Sequence, residues 1–282
     1  MISILHLGSL DYAPGLRLQQ KLVELCKENR IGDVLLLLEH TPVITLGRNA
    51  KAANILASTD ELARRGVEVF ECDRGGDVTF HGPGQLVGYP IFDLRSFPSS
   101  DSKRKTLGVI EYVRRIEEAL MRTCSDFGIP TQRICGLTGV WTSTNHVGTA
   151  ALGCAAEQSS AKDADDSETE PAKIAAIGVH VSRSVTSHGF ALNVDTDLSF
   201  FNLIIPCGIA SKPVTSMAKV LGRPMDMAKV TNSLVRNFGD VFHSQILWIE
   251  TLDALLGETV GVPLRVPAEL REIHKEEESF WA

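Results

Sequence analysis

The stretch "FNLIIPCGIASKP" sets Cys207 between Pro206 and Gly208, directly after an apolar run that would otherwise end in an ordinary turn. A free thiol has a pKa of about 8.5 and is mostly protonated at neutral pH, yet the thiolate is the nucleophile. A cation beside the sulfur would change that balance. An ammonium about 4 Å away is worth up to ~4 kcal/mol at an effective dielectric of ~20, and one pKa unit corresponds to ~1.4 kcal/mol. Two residues could act as the partner. Lys173 opens "KIAAIGVHVS", a stretch of mostly apolar or small residues; read alone, it is a surface lysine at a strand edge. His81 is the rival, because a cysteine–histidine pair activates a nucleophile in the same way.

A second chemical signal is "DRGGDVTFHGPGQLVGYP", residues 73–90, in which Arg74 and His81 bracket a glycine-rich loop. Glycines let a backbone approach a ligand closely and offer its N–H groups as donors. The loop matches neither G-x-x-x-x-G-K-[ST] nor G-x-G-x-x-G, so it is not built for a triphosphate or a dinucleotide. Ala175, Ala176 and Gly178 would leave room beside their strand for an apolar ligand. His180 and His188 are too far apart and too poorly supported by carboxylates for a metal site; His188, in "SHG", is expected to orient the next turn. No metal and no cofactor is expected.

These residues need a scaffold, and the chain is long enough for one. Its 282 residues, 44% of them hydrophobic, supply a sizeable core. A formal net charge of −7 argues against a nucleic-acid surface, Lys103 to Lys105 being a short basic exception. Six cysteines without a C-x-x-C pair suggest neither a zinc knuckle nor a disulfide framework, and point to a reducing compartment. No signal segment or membrane-length apolar run is read, so a cytoplasmic protein with no membrane contact is expected.

Hydrophobic periodicity predicts a strand in "ISILHLG", a helix in "YAPGLRLQQKLVELCKENR", and a buried hairpin from "DVLLLLEH" and "TPVITLGR". "TDELARRG" reads as a short helix capped by Thr59 or Asp60 and ended by Gly66. Strand-like stretches follow in "VEVFECDR", "VTFHG" and "QLVGYPIFDL". The longest helix, "TLGVIEYVRRIEEALMRTCSDFG", should bury Leu107, Ile110, Val113, Ile116 and Leu120, with Arg114, Arg115, Glu117 and Glu118 on the solvated side. "TGVW", "KIAAIGVHVS" and "GFALNVD" complete the strands. An acidic, Ala- and Ser-rich stretch over 142–172 reads as a disordered insertion. The expected organisation is one catalytic domain over 1–245 and a C-terminal extension over 246–282. The fold class is α+β, a mainly antiparallel sheet with packed helices.

Three stretches taken together, "RGGDVTFHGPGQLVGYPIFDL", then "TGVW" with "KIAAIGVHVSR" and "SHGFALNV", then "IIPCGI" followed by "VTSM", resemble the lipoyl (octanoyl) transferase family. The likeness runs from about Gly8 to Gly222; the acidic insertion and the long tail depart from it without touching a motif. The resemblance implies a biotin/lipoate ligase-like, class II synthetase-like fold. It also implies octanoyl transfer from the thioester of acyl carrier protein to a specific lysine of a lipoyl domain, in 2-oxoacid dehydrogenases or the glycine cleavage H protein. Carried over by motif, Cys207 holds the acyl thioester and Lys173 lowers its pKa. Arg74, Gly75, Gly76, Asp77, Val78, Thr79, Phe80 and His81, with Ala176, Ile177, Gly178, Gly189, Phe190 and Ala191, would line the acyl pocket. Backbone N–H groups near Gly208 would hold the oxyanion. A monomer is expected. The rival readings are an ATP-dependent lipoate ligase, which lacks the cysteine intermediate, and an acyl-binding protein without turnover.

Overall fold

The computed structural model describes residues 1–101, 104–143, 170–206, 212–252 and 254–255. Most of the acidic stretch, Cys207 to Ser211, Lys103 and the tail after 255 lie outside the described residues.

Strand β2 (Asp33–His40) has an aliphatic centre, Val34–Leu38, because it runs through the middle of the molecule with both faces covered. Its neighbours are β1 (Ile2–Leu10), parallel to it, and β6 (Gln85–Ile91), antiparallel. Beyond β6 the sheet continues through β10 (Val185–Asn193), β9 (Lys173–Ser182), β8 (Leu137–Thr142) and β7 (Thr131–Ile134), all antiparallel. Residues after 245 add β11 (Ile246–Ile249), parallel to β1, at the opposite edge. One face is covered by α3 (Val109–Asp126) and α5 (Met227–Phe242), whose aromatics Tyr112, Phe238 and Phe242 meet Phe92 and Phe190 from the sheet side. The other face is covered by α1 (Tyr12–Lys27), through Leu18, Leu22 and Leu25.

A second, three-stranded sheet is formed by β4 (Glu68–Glu71), β3 (Val43–Leu46) and β5 (Val78–His81), in that spatial order. The expected hairpin of the second and third stretches is therefore absent: β2 and β3 belong to different sheets. Thr41 and Pro42 carry the chain from one to the other, with the Thr41 hydroxyl donating to Asp11. The short helix α2 (Thr59–Arg64) is capped by Ser58, whose hydroxyl accepts the Glu61 amide, one residue earlier than expected.

Helix α3 corrects the sequence reading most clearly. Ile110, expected inside, is 80% exposed, and the buried stripe runs through Tyr112, Ile116, Ala119, Leu120 and Thr123. Glu117, expected outside, is fully buried. It lies on the edge of that stripe facing β7 and β8, where its carboxylate accepts from Arg114 at 2.7 Å, Arg133 at 3.0 Å and the Gly139 amide at 3.2 Å. Counting apolar residues could not find this face, because a tyrosine, a threonine and a paired carboxylate complete it.

Candidate active site

The loop from Cys72 to Asp77, between β4 and β5 of the small sheet, reaches over to the large sheet and returns. The Gly75 amide donates to the Val179 carbonyl at 3.1 Å. Approach is close enough that a Cβ on Gly178 would lie 2.7 Å from the Gly75 oxygen, which explains glycine at both positions. Between the sheets lies a narrow cleft with a cavity volume of about 50 Å³. Arg74, Gly75, Gly76, Asp77, Thr79 and His81 line it from the small sheet; Ala176, Ile177, Gly178, Gly189, Phe190 and Ala191 line it from β9 and β10.

Two expected lining residues face elsewhere. Strand β5 alternates, so Thr79 and His81 look into the cleft while Val78 and Phe80 look into a separate core with Ile44, Leu62 and Leu203. There Phe80 stacks on Phe200, ring centroids 4.7 Å apart. Val78 and Phe80 are structural supports of the small sheet.

The polar groups of the small-sheet wall are joined in a chain. Arg74, 8% exposed, donates to the Thr45 carbonyl at 2.6 Å and through Nε to the Thr45 hydroxyl at 3.1 Å. That hydroxyl stands 3.4 Å from His81 Nε2. The other ring nitrogen, Nδ1, donates to Gln85 Oε1 at 2.7 Å, since the Gln85 amide donates to the Phe80 carbonyl and to Asn193 Oδ1. Asn193 ends the chain by donating to the Thr215 carbonyl. Burial, helped by nearby His40, pushes His81 down to about 3. His81 is thus a neutral imidazole with its proton on Nδ1.

Lys173 presents a different picture. It is 7% exposed, contrary to its reading as a surface lysine. It stands at the start of β9 opposite Trp141, with Nζ 4.8 Å from the indole ring centroid. Its amide donates to the Pro213 carbonyl at 2.8 Å and its carbonyl accepts the Thr215 amide at 2.9 Å. On the other side of residues 207–211, Pro206 lines a smaller cavity together with Lys173. The chain thus enters and leaves the segment containing Cys207 beside Lys173. Thr79, Ala176 and Ala191 line both this cavity and the glycine-walled cleft, so the two are contiguous. Among the described residues, no group of three or more His, Cys, Asp or Glu side chains could hold a metal ion.

The model of the lipoyl protein ligase A/B catalytic domain matches residues 11–239. The chain belongs to this family. Within it, the chain is 55% identical over 278 residues to an octanoyltransferase of Koribacter versatilis, covering 98% of each. It is 54% identical over 260 residues to an octanoyltransferase of Acidobacterium capsulatum, covering 92% of this chain and 97% of that one. A bipartite lipoate protein ligase from Thermoplasma acidophilum superposes with a TM-score of 0.61 at 15% identity, covering 98% of this chain and 91% of that one. This last likeness is one of fold, and it bears out the expected mixed α+β architecture of the lipoate ligases.

Several residues of this family member's cleft were not found in the sequence. Tyr12 from α1 and Tyr89 from β6 close one side of it. Tyr89 donates its hydroxyl to His40 Nε2 at 2.7 Å, and His40 Nδ1 donates to the Leu10 carbonyl at 2.8 Å, which fixes the ring. Burial lowers His40 to about 4, so it too stays neutral. His188, in the positive-φ region at +54°, accompanies Gly189 on β10, and its Nε2 meets the Asp73 carboxylate at 2.6 Å. It ties the glycine-rich loop to the large sheet, a firmer role than orienting a turn. These residues come from separate strands and helices, and no local spacing announces them.

Proposed function

We propose that the chain carries octanoyl groups through a covalent Cys207 intermediate, with Lys173 as the charge partner of the sulfur. The activity class is octanoyl transfer in lipoate biosynthesis, the activity named for relatives more than half identical along nearly the whole chain. The acceptors are lipoyl-domain proteins; the archaeal fold relative is described together with its E2 lipoyl domain. The donor is octanoyl-acyl carrier protein, and the acceptors include the 2-oxoacid dehydrogenase lipoyl domains and the glycine cleavage H protein. One catalytic domain, interrupted by the insertion over 142–172, carries this chemistry as a monomer in the cytoplasm, and β11 of the expected extension over 246–282 joins its sheet. Among the described residues, no helix is long and apolar enough to cross a membrane.

The observation that carries the mechanism is the cavity shared by Lys173 and Pro206, contiguous with the glycine-walled cleft. Cys207 follows Pro206 directly, one Cα step of about 3.8 Å. With the Lys173 ammonium beside it, the sulfur is favoured as thiolate. The thiolate attacks the donor thioester carbonyl; a carbon–sulfur bond to Cys207 forms, the bond to the donor sulfur breaks, and that sulfur departs with a proton from Lys173. The neutral amine of the acceptor lysine then attacks the acyl-enzyme. A carbon–nitrogen bond forms, the amine proton passes to Lys173, and Cys207 leaves as thiolate, restoring the starting pair. At ~0.8 kcal/mol per buried methylene, an eight-carbon chain gains useful binding energy in a cleft walled by Ala176, Ala191 and Phe190.

The test is incubation with octanoyl-acyl carrier protein, without and with ATP, followed by peptide mass spectrometry. An octanoyl mass on Cys207 without ATP, discharged by a lipoyl domain, is expected. Transfer that requires ATP and leaves Cys207 unmodified would overturn the mechanism in favour of a ligase.

A further inference from the structure

The chemistry above gives no role to Trp141, yet this residue faces the charge on which that chemistry depends. Trp141 lies opposite Lys173 in the β8–β9 register and is 1% exposed. Its ring centroid is 4.8 Å from Lys173 Nζ, inside the range over which an aromatic face attracts a cation. The indole N–H has no hydrogen-bond partner among the described residues, so the ring is oriented by packing and not by its polar edge.

The strand beneath the ring is held with unusual care. The register of β8 against β9 shifts between Val140 and Trp141, an irregularity of the kind that re-aims a side chain. Two residues earlier Gly139 has φ +125°, and a Cβ there would meet the Ala175 oxygen at 2.7 Å and Lys173 Cε at 3.5 Å. The Gly139 amide is held by buried Glu117, which Arg114 and Arg133 fix in turn. Among the described residues near Lys173, Glu117 is engaged by these arginines, and His81 is neutral and tied to Gln85, which lines the Lys173 cavity.

We propose that Trp141 is a positioning residue that holds the Lys173 side chain beside the cavity. A ring quadrupole attracts an ammonium placed over its face, so the contact fixes where the charge stands. Lys173 then meets the donor as a fixed cation, and becomes a base only after giving its proton to the departing donor sulfur. This inference rests on the reading of Lys173 given above.

The experiment uses the full chain with Trp248→Phe and Trp281→Phe, leaving Trp141 as its one tryptophan, which is replaced biosynthetically by mono-, di- and trifluorinated tryptophan. Fluorine drains the ring face of negative potential with little change in size. Alkylation of Cys207 by iodoacetamide is followed against pH by peptide mass spectrometry, beside Lys173→Met. The profile is expected to move to higher pH with each fluorine, the neutral-pH rate falling about threefold to tenfold across the series. A flat series beside a shifted Lys173→Met profile would leave Trp141 as packing and overturn this inference alone. A Lys173→Met profile that matches the parent would overturn the reading of Lys173, and this inference with it.

Discussion

Two polar walls border the site, both buried, yet they use their polar groups in opposite ways. On one, Arg74, Thr45 and His81 of the small-sheet side and Gln85 and Asn193 of the large sheet satisfy one another in sequence, and the histidine in the middle is kept neutral. On the β8–β9 wall, Lys173 is brought against an indole face at a cavity bordered by Pro206. The contrast favours Lys173 over His81 as the proposed partner of Cys207. A histidine pushed down to about 3 supplies no cation at neutral pH, whereas Lys173 is held over an aromatic face that attracts one. In that proposal one wall shapes the site and the other charges it.

Replacing the nucleophile should have the largest effect and tests the premise of the comparison. Cys207→Ala is expected to lower octanoyl transfer by roughly 10³-fold or more with the fold retained, as read by transfer assay and circular dichroism. Near-parental activity in that variant would remove the chemistry from both walls. Next comes the charged wall itself: Lys173→Met should lower kcat by roughly 10²-fold. His81→Gln, which keeps a hydrogen-bonding group beside Gln85, should act mainly on KM; the reverse pattern would exchange the roles assigned to the two walls.

The support behind the charged wall is tested through stability. Glu117→Ala leaves Arg133 and the Gly139 amide without their carboxylate and should cost about 3 kcal/mol, measured by urea unfolding. Glu117→Gln should lose less, because it can still accept from Gly139. An unchanged midpoint for both would show that the ionic cluster does not hold β8.

A further effect belongs to the neutral wall and is read against pH. Burial depresses His81 to about 3 and His40 to about 4 from an ordinary 6.5. Between these limits the unfolded chain binds more protons than the folded one, so stability is present above about 6.5 and is lost as pH falls toward 4. Urea midpoints should decline over that window, and less steeply in His81→Gln. Equal slopes in parent and variant would mean that His81 is charged in the folded protein.

Much of this was legible in the sequence where a residue's role is local. The aliphatic run Val34–Leu38 is a buried central strand, as its pattern indicates; Gly178, expected to leave room for an apolar ligand, also lets the Gly75 backbone approach closely. The motif order also named the family that the match over 11–239 shows. What failed were judgements of which way a side chain points. Val78 and Phe80 were grouped with Thr79 and His81 because they share a motif, although a strand sends neighbours to opposite faces. Glu117 was placed outside because it is charged, although two arginines and an amide wait for it inside.

Composition and pattern by themselves determined an α+β chain with a glycine-rich binding loop, a candidate nucleophile and a candidate amine, because each of these is a property of a few consecutive residues. The tertiary structure alone decided that the amine is buried against Trp141 and that the rival histidine is spent on Gln85. Ionisation is set by whatever surrounds a group in space. For Lys173 those surroundings come from Trp141 on the neighbouring strand of the same sheet, and for His81 from Thr45 across the small sheet and Gln85 at the start of a large-sheet strand, positions that only the folded chain brings together.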